Sequence, residues 1–222
     1  MMVRVRRHAQ SVAALAVVAS MAWGLLVVAG SQAAPAAPQR GGTVTIAVGT
    51  DALTLDPHNY LATTDIVVDN MIFDTLVSFD LNMKIRPRLA LRWLYLGPTS
   101  WRFELRKDVK FSDGTPFNAQ AAKVSLERAA RSPRAAAFVG FIKQVDIVNE
   151  HTIVIQTNRP FAPVLNHLTS AVGGLMAPSS LGKPADDIKR QPVGTGPYML
   201  REWIPNQRLV IVPNPTYWGD KP

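Results

Sequence analysis

Apolar and polar positions alternate most clearly at Trp101, Phe103 and Leu105, which interleave with Arg102, Glu104 and Arg106. A period of two puts the three apolar side chains on one face, so the stretch is predicted as a half-buried strand that Val109 and Phe111 continue. Asp113-Gly114 then supplies a turn, and Asn118 is placed to cap a helix that uses Ala122, Leu126, Ala129 and Ala130 and stops at Ser132-Pro133. Upstream, Val44, Ile46 and Val48 predict a first strand over 43–48. Asp56-Pro57 forces a turn, and Val67, Val68, Met71, Ile72 and Leu76 fall at helical spacing behind a cap at Thr64 or Asp65. Two hairpins are expected. One sets Val145 and Ile147 against Ile153 and Ile155 across Asn149-Glu150; the other sets Tyr198 and Leu200 against Leu209 and Ile211 across Pro205-Asn206. The order is not strictly βαβ and shows no internal repeat, so the fold class is α/β in the mixed α+β sense, built on a mixed sheet.

The first forty residues follow another pattern. MMVRVRRHAQ is basic, Val12 to Gly30 is an uncharged apolar run, and SQAAPAAPQR is rich in small residues. That sequence of regions predicts a secretory signal over 1–33, cut after Ala33 or Ala36, and a linker over 34–42. The alternative is an uncleaved anchor, because the apolar run approaches the roughly 20 residues that span a bilayer. The formal charge of +8 is inflated by Arg4, Arg6 and Arg7; beyond residue 33 there remain 21 basic against 16 acidic side chains. They form no run of four, so no nucleic-acid partner is expected. The chain has no cysteine, which excludes disulfides, thiolate metal sites, a thiol nucleophile and a lipoprotein anchor.

Candidate chemistry is sparse. His8, His58, His151 and His167 have no second ligand at i+3 or i+4, so no metal site is expected. His58, behind Asp56-Pro57, is the best placed of the four, although a turn histidine accounts for it. Asp51 and Asp56 could mimic a carboxylate pair, but turn and cap duty explains both and nothing supplies a nucleophile beside them. Gly194-Thr195-Gly196-Pro197 contains a GxG whose proline breaks the dinucleotide pattern, and it reads as a tight turn or hinge. By alternation Trp101 lies on the buried face of its strand, and Trp203 and Trp218 are expected to pack beside a hairpin. No catalytic residue, cofactor or enzymatic activity is predicted.

Several segments in order, RPRLALRW, WRFELRKDVKFSDGTPFNAQ, PVGTGPYMLREW and NPTYWGDKP, resemble the family 5 solute-binding proteins of peptide, dipeptide and nickel ABC transporters. GGTVTIAVGTDALTLDPHNY resembles the start of their mature chains, so the resemblance spans residues 40–222. It implies a type II periplasmic-binding fold, with residues 43–80 and 186–222 in the first lobe and 81–185 in an extra subdomain. The second lobe, expected after NPTYWGDKP, is missing, and the sequence is read as an N-terminal fragment. The resemblance also implies a periplasmic, monomeric binder that hands a peptide or similar small solute to membrane permease subunits. A membrane-tethered half-module used for sensing or interaction is the rival reading. By resemblance, Leu61, Ala62 and Thr63 line the cleft and Phe138 is an aromatic cleft residue. Gly194, Thr195, Gly196, Pro197 and Tyr198 form the crossover, with a role in backbone geometry. Some similar oligopeptide binders carry an acid where Leu61 stands, and the family usually has one where Ala121 stands. Members take oligopeptides, dipeptides, nickel chelates, glutathione, haem or sugars.

Overall fold

The computed structural model describes residues 41–221, so the expected signal over 1–33 and most of the linker lie outside the described residues. Residues 41–47 belong to a separate unit from 48–222. The strand expected over 43–48 is not formed, and Val44, Ile46 and Val48 are exposed. Alternation there specifies a face but supplies no neighbour, and a strand needs paired backbone groups to persist.

Within the second unit, Asp56 caps a 3-10 turn over Pro57–Asn59 by accepting from the His58 amide. Helix α1 (Thr63–Ile72) follows. Its N-cap is Ala62 rather than Thr64 or Asp65. Asp65 acts one turn in: its Oδ2 accepts from the amides of Leu61 and Ala62, and its Oδ1 from Leu53. A carboxylate at this position satisfies donors that the helix start leaves orphaned. The helix buries Asp65, Asp69 and Ile72, whereas Val67 is exposed, so its apolar face is only partly covered.

Strands β1 (Val77–Phe79) and β2 (Ile85–Pro87) form a small hairpin whose turn is organised by Asp80 accepting from Asn82 and Lys84. Then come β3 (Ala90–Gly97) and β4 (Ser100–Leu105), paired antiparallel. The expected continuation through Val109 and Phe111 fails. The chain leaves β4 after Leu105, and both residues enter the core from a loop that closes on the Asp113-Gly114 turn, where Gly114 has φ +86. Helix α2 (Ala119–Arg131) begins at Asn118, whose side chain accepts from the Ala121 amide at 3.0 Å. Short α3 (Ala136–Val139) follows, then β5 (Ile142–Asn149) and β6 (Thr152–Thr157), with Val145 opposite Ile155 and Ile147 opposite Ile153. The order β3-β4-β6-β5 makes one four-stranded sheet. Every pairing among the described residues is antiparallel, so the mixed sheet expected from the sequence is not present there.

One face of the sheet and the Ala119, Ala122, Leu126 and Ala129 side of α2 enclose the main core, centred on Phe103, Phe111, Phe117, Ile153 and Ile155. Trp101 is half-buried against it. Short helices α4 (Val164–His167), α5 (Pro178–Leu181) and α6 (Ala185–Arg190) lead to the hairpin of β7 (Tyr198–Ile204) and β8 (Arg208–Pro213), where Leu200 pairs with Ile211 and Trp203 with Leu209. A second, smaller core joins Ile72, Phe73, Met176 and Ile188, with Val68, Leu181, Leu200 and Ile211 packed on it.

The GTGP segment sits where these parts meet. The Gly196 amide donates to Ile72 O at 2.9 Å, and a Cβ on Gly194 would lie 2.1 Å from the same oxygen. Only glycine lets the two backbones approach this closely. Beside it the fully buried Asp74 accepts from Arg88, from Thr195 Oγ1 at 3.0 Å and from Trp218 Nε1 at 2.8 Å. Arg106 stacks over the Trp218 ring, 4.1 Å from its centroid. Trp218 therefore packs in this junction rather than beside a hairpin, whereas Trp203 is a residue of β7 itself.

Gly194→Ala is expected to lower unfolding free energy by about 2 kcal/mol in urea titration, because overpacking against fixed backbone is not relieved by a rotamer change; Gly182→Ala, where a Cβ meets nothing within 4 Å, is expected to change little. Asp69 is buried, and its Oδ1 has no hydrogen-bond partner among the described residues. Burial first, then the charges of Asp65 and Asp56, push its pKa from 3.8 up to about 8. The folded chain thus holds this proton more tightly than the unfolded one. The associated stability is complete below pH 4 and is lost as pH rises through about 8. Stability curves of Asp69→Asn against pH are expected to lack that decline.

Candidate functional site

The segment expected to line a cleft is held by a buried polar cluster. Arg128 on α2 donates from Nη2 to Asp56 Oδ2 at 2.6 Å and from Nη1 to Asp56 Oδ1 at 2.8 Å, a bidentate pair. Arg128 Nη1 also lies 2.7 Å from His58 Nδ1, and His58 Nε2 lies 2.9 Å from Gly174 O. A carbonyl only accepts, so Nε2 carries the proton and Nδ1 accepts from the guanidinium. Burial, then the Arg128 charge, drives the His58 pKa down to about 4 and keeps the ring neutral. Burial alone would raise the Asp56 carboxyl, but hydrogen bonds from Arg128 and Asn59 and the Arg128 charge hold it below its ordinary value. His58 is therefore a positioning residue within the turn, with both ring nitrogens engaged, and not a ligand or a base.

Ser132, at the end of α2, donates to this turn at His58 O or Asn59 Oδ1, and the Ala135 amide reaches His58 O at 3.3 Å. The loop of residues 58–63 is thus seated on the segment 132–138. Tyr60 meets Phe138 edge to face, with ring centroids 6.4 Å apart. Leu61, 49% exposed, and Phe138, 38% exposed, present apolar surface on this wall. The amides of Leu61 and Ala62 are pinned by Asp65, and Thr63 begins α1 with an exposed side chain. Behind Phe138, whose carbonyl accepts from His167 Nδ1 at 2.7 Å, Phe141 and Phe161 stack at 4.7 Å with His167 edge-on to both. Arg134 is exposed on the same segment and has no ion pair among the described residues.

The structure brings Leu61, Ala62 and Thr63 close to Phe138 through Tyr60. Gly194 to Tyr198 lie elsewhere, against the C-terminal end of α1. Asp51, read from the sequence as a turn residue, ties its segment to the β7–β8 turn by accepting from the Asn206 amide at 2.6 Å. Sequence reasoning did not single out Arg128, Tyr60 or Arg134, and it placed Ser132 only as part of the helix stop. No local signal separates Arg128 from Arg131 on the same helix, which is exposed, so its pairing with Asp56 is not legible in the sequence. An open groove of about 430 Å³ lies along β7 between Asp113, Arg190 and Trp203, and none of the expected cleft residues lines it. The wall at Tyr60 and Phe138 is the stronger candidate, because buried partners fix its geometry. No group of three or more metal-ligating side chains occurs among the described residues.

An antiparallel sheet carrying one helix layer lies beside a smaller core, and the chain presents a fixed apolar wall at Tyr60, Leu61 and Phe138. Residues 84–222 match the model of the bacterial extracellular solute-binding proteins, family 5 Middle, and the chain belongs to that family. It is 34% identical over 185 residues to the probable D,D-dipeptide-binding periplasmic protein of Escherichia coli, a match covering 78% of this chain and 36% of the relative. It is 31% identical over 179 residues to the glutathione-binding protein of Salmonella typhi, covering 79% and 35%. The chain thus spans about a third of the length of these curated relatives. Among solved structures, it resembles NikA of Brucella suis in complex with Fe(III)-EDTA, with TM-score 0.69 and 30% identity over 78% of this chain and 36% of that one. It also resembles an ABC transporter substrate-binding protein from Sinorhizobium meliloti, with TM-score 0.72 and 29% identity over 82% and 37%. The fold is that of part of a type II periplasmic binding protein.

The buried cluster generates a direct test. Arg128→Ala is expected to destabilise the chain by about 3 kcal/mol in chemical denaturation, since it strands a buried carboxylate. In the unaltered chain, NMR shifts of the His58 ring are expected to stay constant from pH 8 down to about 5, with the proton on Nε2.

Proposed function

We propose that this chain is the N-terminal portion of a periplasmic substrate-binding component of an ABC transporter, which captures peptides or similar small solutes and presents them to permease subunits. On this reading the protein binds its solute unchanged and acts as a monomeric carrier. The observation that carries it is the fixed wall of Tyr60, Leu61 and Phe138 on a family 5 fold, where apolar side chains stay exposed although their backbone is held by buried polar groups. Leu61 to Thr63 and Phe138 would contact the solute. Gly194 to Tyr198 would set the geometry of the crossover between lobes. A solute held between two faces gains most of its affinity from desolvation on closure, so one wall supplies only part of the binding surface.

The leucine at position 61 and the absence of an exposed acid among Tyr60, Leu61, Ala62 and Thr63 leave this wall without an anchor for a solute amine. The wall therefore favours apolar or planar portions of the solute. The full-length protein, screened by thermal shift against dipeptides, tripeptides and glutathione, is expected to gain stability with at least one class. Calorimetry on that solute is expected to show about tenfold weaker binding for Phe138→Ala and for Leu61→Asp, in line with loss of about 1.4 kcal/mol each. Unchanged affinity in both variants would remove this wall from the binding site, and no shift with any solute class would count against the carrier reading.

A further inference from the structure

Helix α3 is a single turn, and Phe138 is its last residue but one. Carbonyls at a helix end have no amide partner within the helix and take donors from elsewhere. Just past this turn, Asn158 donates its side-chain amide to Gly140 O and its backbone amide to Phe141 O, both at 2.9 Å. No backbone amide among the described residues donates to Phe138 O; its donor is His167 Nδ1 at 2.7 Å. A carbonyl only accepts, so Nδ1 carries a proton, the opposite tautomer to that of His58. Packing aims the donor. Val164 and Leu168 bury α4 and the residue after it in the main core, which leaves His167 at the end of α4 beside α3. The stacked rings of Phe141 and Phe161 meet the imidazole at steep angles, at 5.8 and 5.1 Å between centroids, and two aromatic neighbours fix its plane.

We propose that His167 is the positioning residue of Phe138: its Nδ1–H holds the end of α3 so that the Phe138 ring stays beside Tyr60 on the wall that meets solute. The assignment rests on the carrier reading of that wall and adds to it a residue that touches no solute. The start of α3 is tied to the loop of residues 58–63 through Ser132 and Ala135, and its end is tied to α4 through His167. Phe138 is thereby fixed from both directions. Packing alone does not explain a histidine here. Any aromatic ring fills the place against Phe141 and Phe161, whereas only a donor reaches the carbonyl of the aromatic residue exposed on the wall. That bond is the only one the ring makes among the described residues.

Two variants of the full-length protein separate donor from ring. His167→Phe keeps an aromatic ring and loses the donor; His167→Asn loses the ring and keeps an N–H at the place of Nδ1. Both are expected to give the circular dichroism spectrum of the wild type. Without solute, ring 15N shifts are expected to put the His167 proton on Nδ1, and cross-peaks between the Tyr60 and Phe138 rings are expected in the wild type and His167→Asn but not in His167→Phe. Calorimetry with whichever of the dipeptides, tripeptides and glutathione binds best is expected to show about fivefold weaker binding for His167→Phe and nearly wild-type binding for His167→Asn. His167→Phe added to Phe138→Ala is expected to cost nothing more, since the first acts through the second. A proton on Nε2, ring cross-peaks that survive in His167→Phe, or His167→Asn as impaired as His167→Phe overturns the proposal. Full affinity in Phe138→Ala removes the wall instead, and with it the carrier role of His167, whatever the ring cross-peaks show.

Discussion

The ion pair between Asp56 and Arg128 fixes the relation between two parts of the chain that sequence alone leaves independent. A carboxylate in a proline turn and a guanidinium on a helix more than seventy residues later meet bidentately, and the cation then orders His58 as a hydrogen-bond acceptor. A pair this well buried contributes little net stability over an apolar substitute, because desolvation offsets the attraction. Its value lies in geometry. With Asp56, His58 and Ser132 all engaged, residues 58–63 have one position on the surface of α2 and α3.

A second junction works differently. Where α1 ends, Gly194 and Gly196 press backbone against backbone, and Asp74 gathers Arg88, Thr195 and Trp218 around one buried carboxylate. The first junction orients a wall; the second brings together α1, the GTGP segment and the final segment near Trp218. Both rely on a buried acid whose partners come from distant sequence, and Asp69 shows the contrast. It is an acid of similar burial that lacks such a partner, and it keeps its proton at neutral pH instead.

Much of the fold could be read in advance where one side of an element is covered and the other is wet. The alternation at Trp101, Phe103 and Leu105, the Asn118 cap and both hairpins needed no tertiary information. The strand at Ala90–Gly97 was not visible because an edge open on several sides leaves Leu91, Leu94, Tyr95 and Leu96 without a period. The strand expected at 43–48 shows the converse, a clear period without a partner strand among the described residues. At the wall, Leu61 to Thr63 and Phe138 came from resemblance, and no local pattern marks them. The residues that position them, Arg128 and Ser132, looked like ordinary members of a helix end. Long-range polar pairing has no period, so only coordinates reveal it.

The way the wall is held separates two demands that usually compete within one residue. Leu61 and Phe138 turn their side chains to solvent while buried groups elsewhere hold the chain in place, so either could be replaced without rebuilding the loop. With the wall meeting solute as proposed, a lineage carrying this scaffold would revise its choice of cargo by single substitutions, each judged on selectivity and hardly at all on folding. Solute preference and structural integrity would then evolve as nearly independent traits.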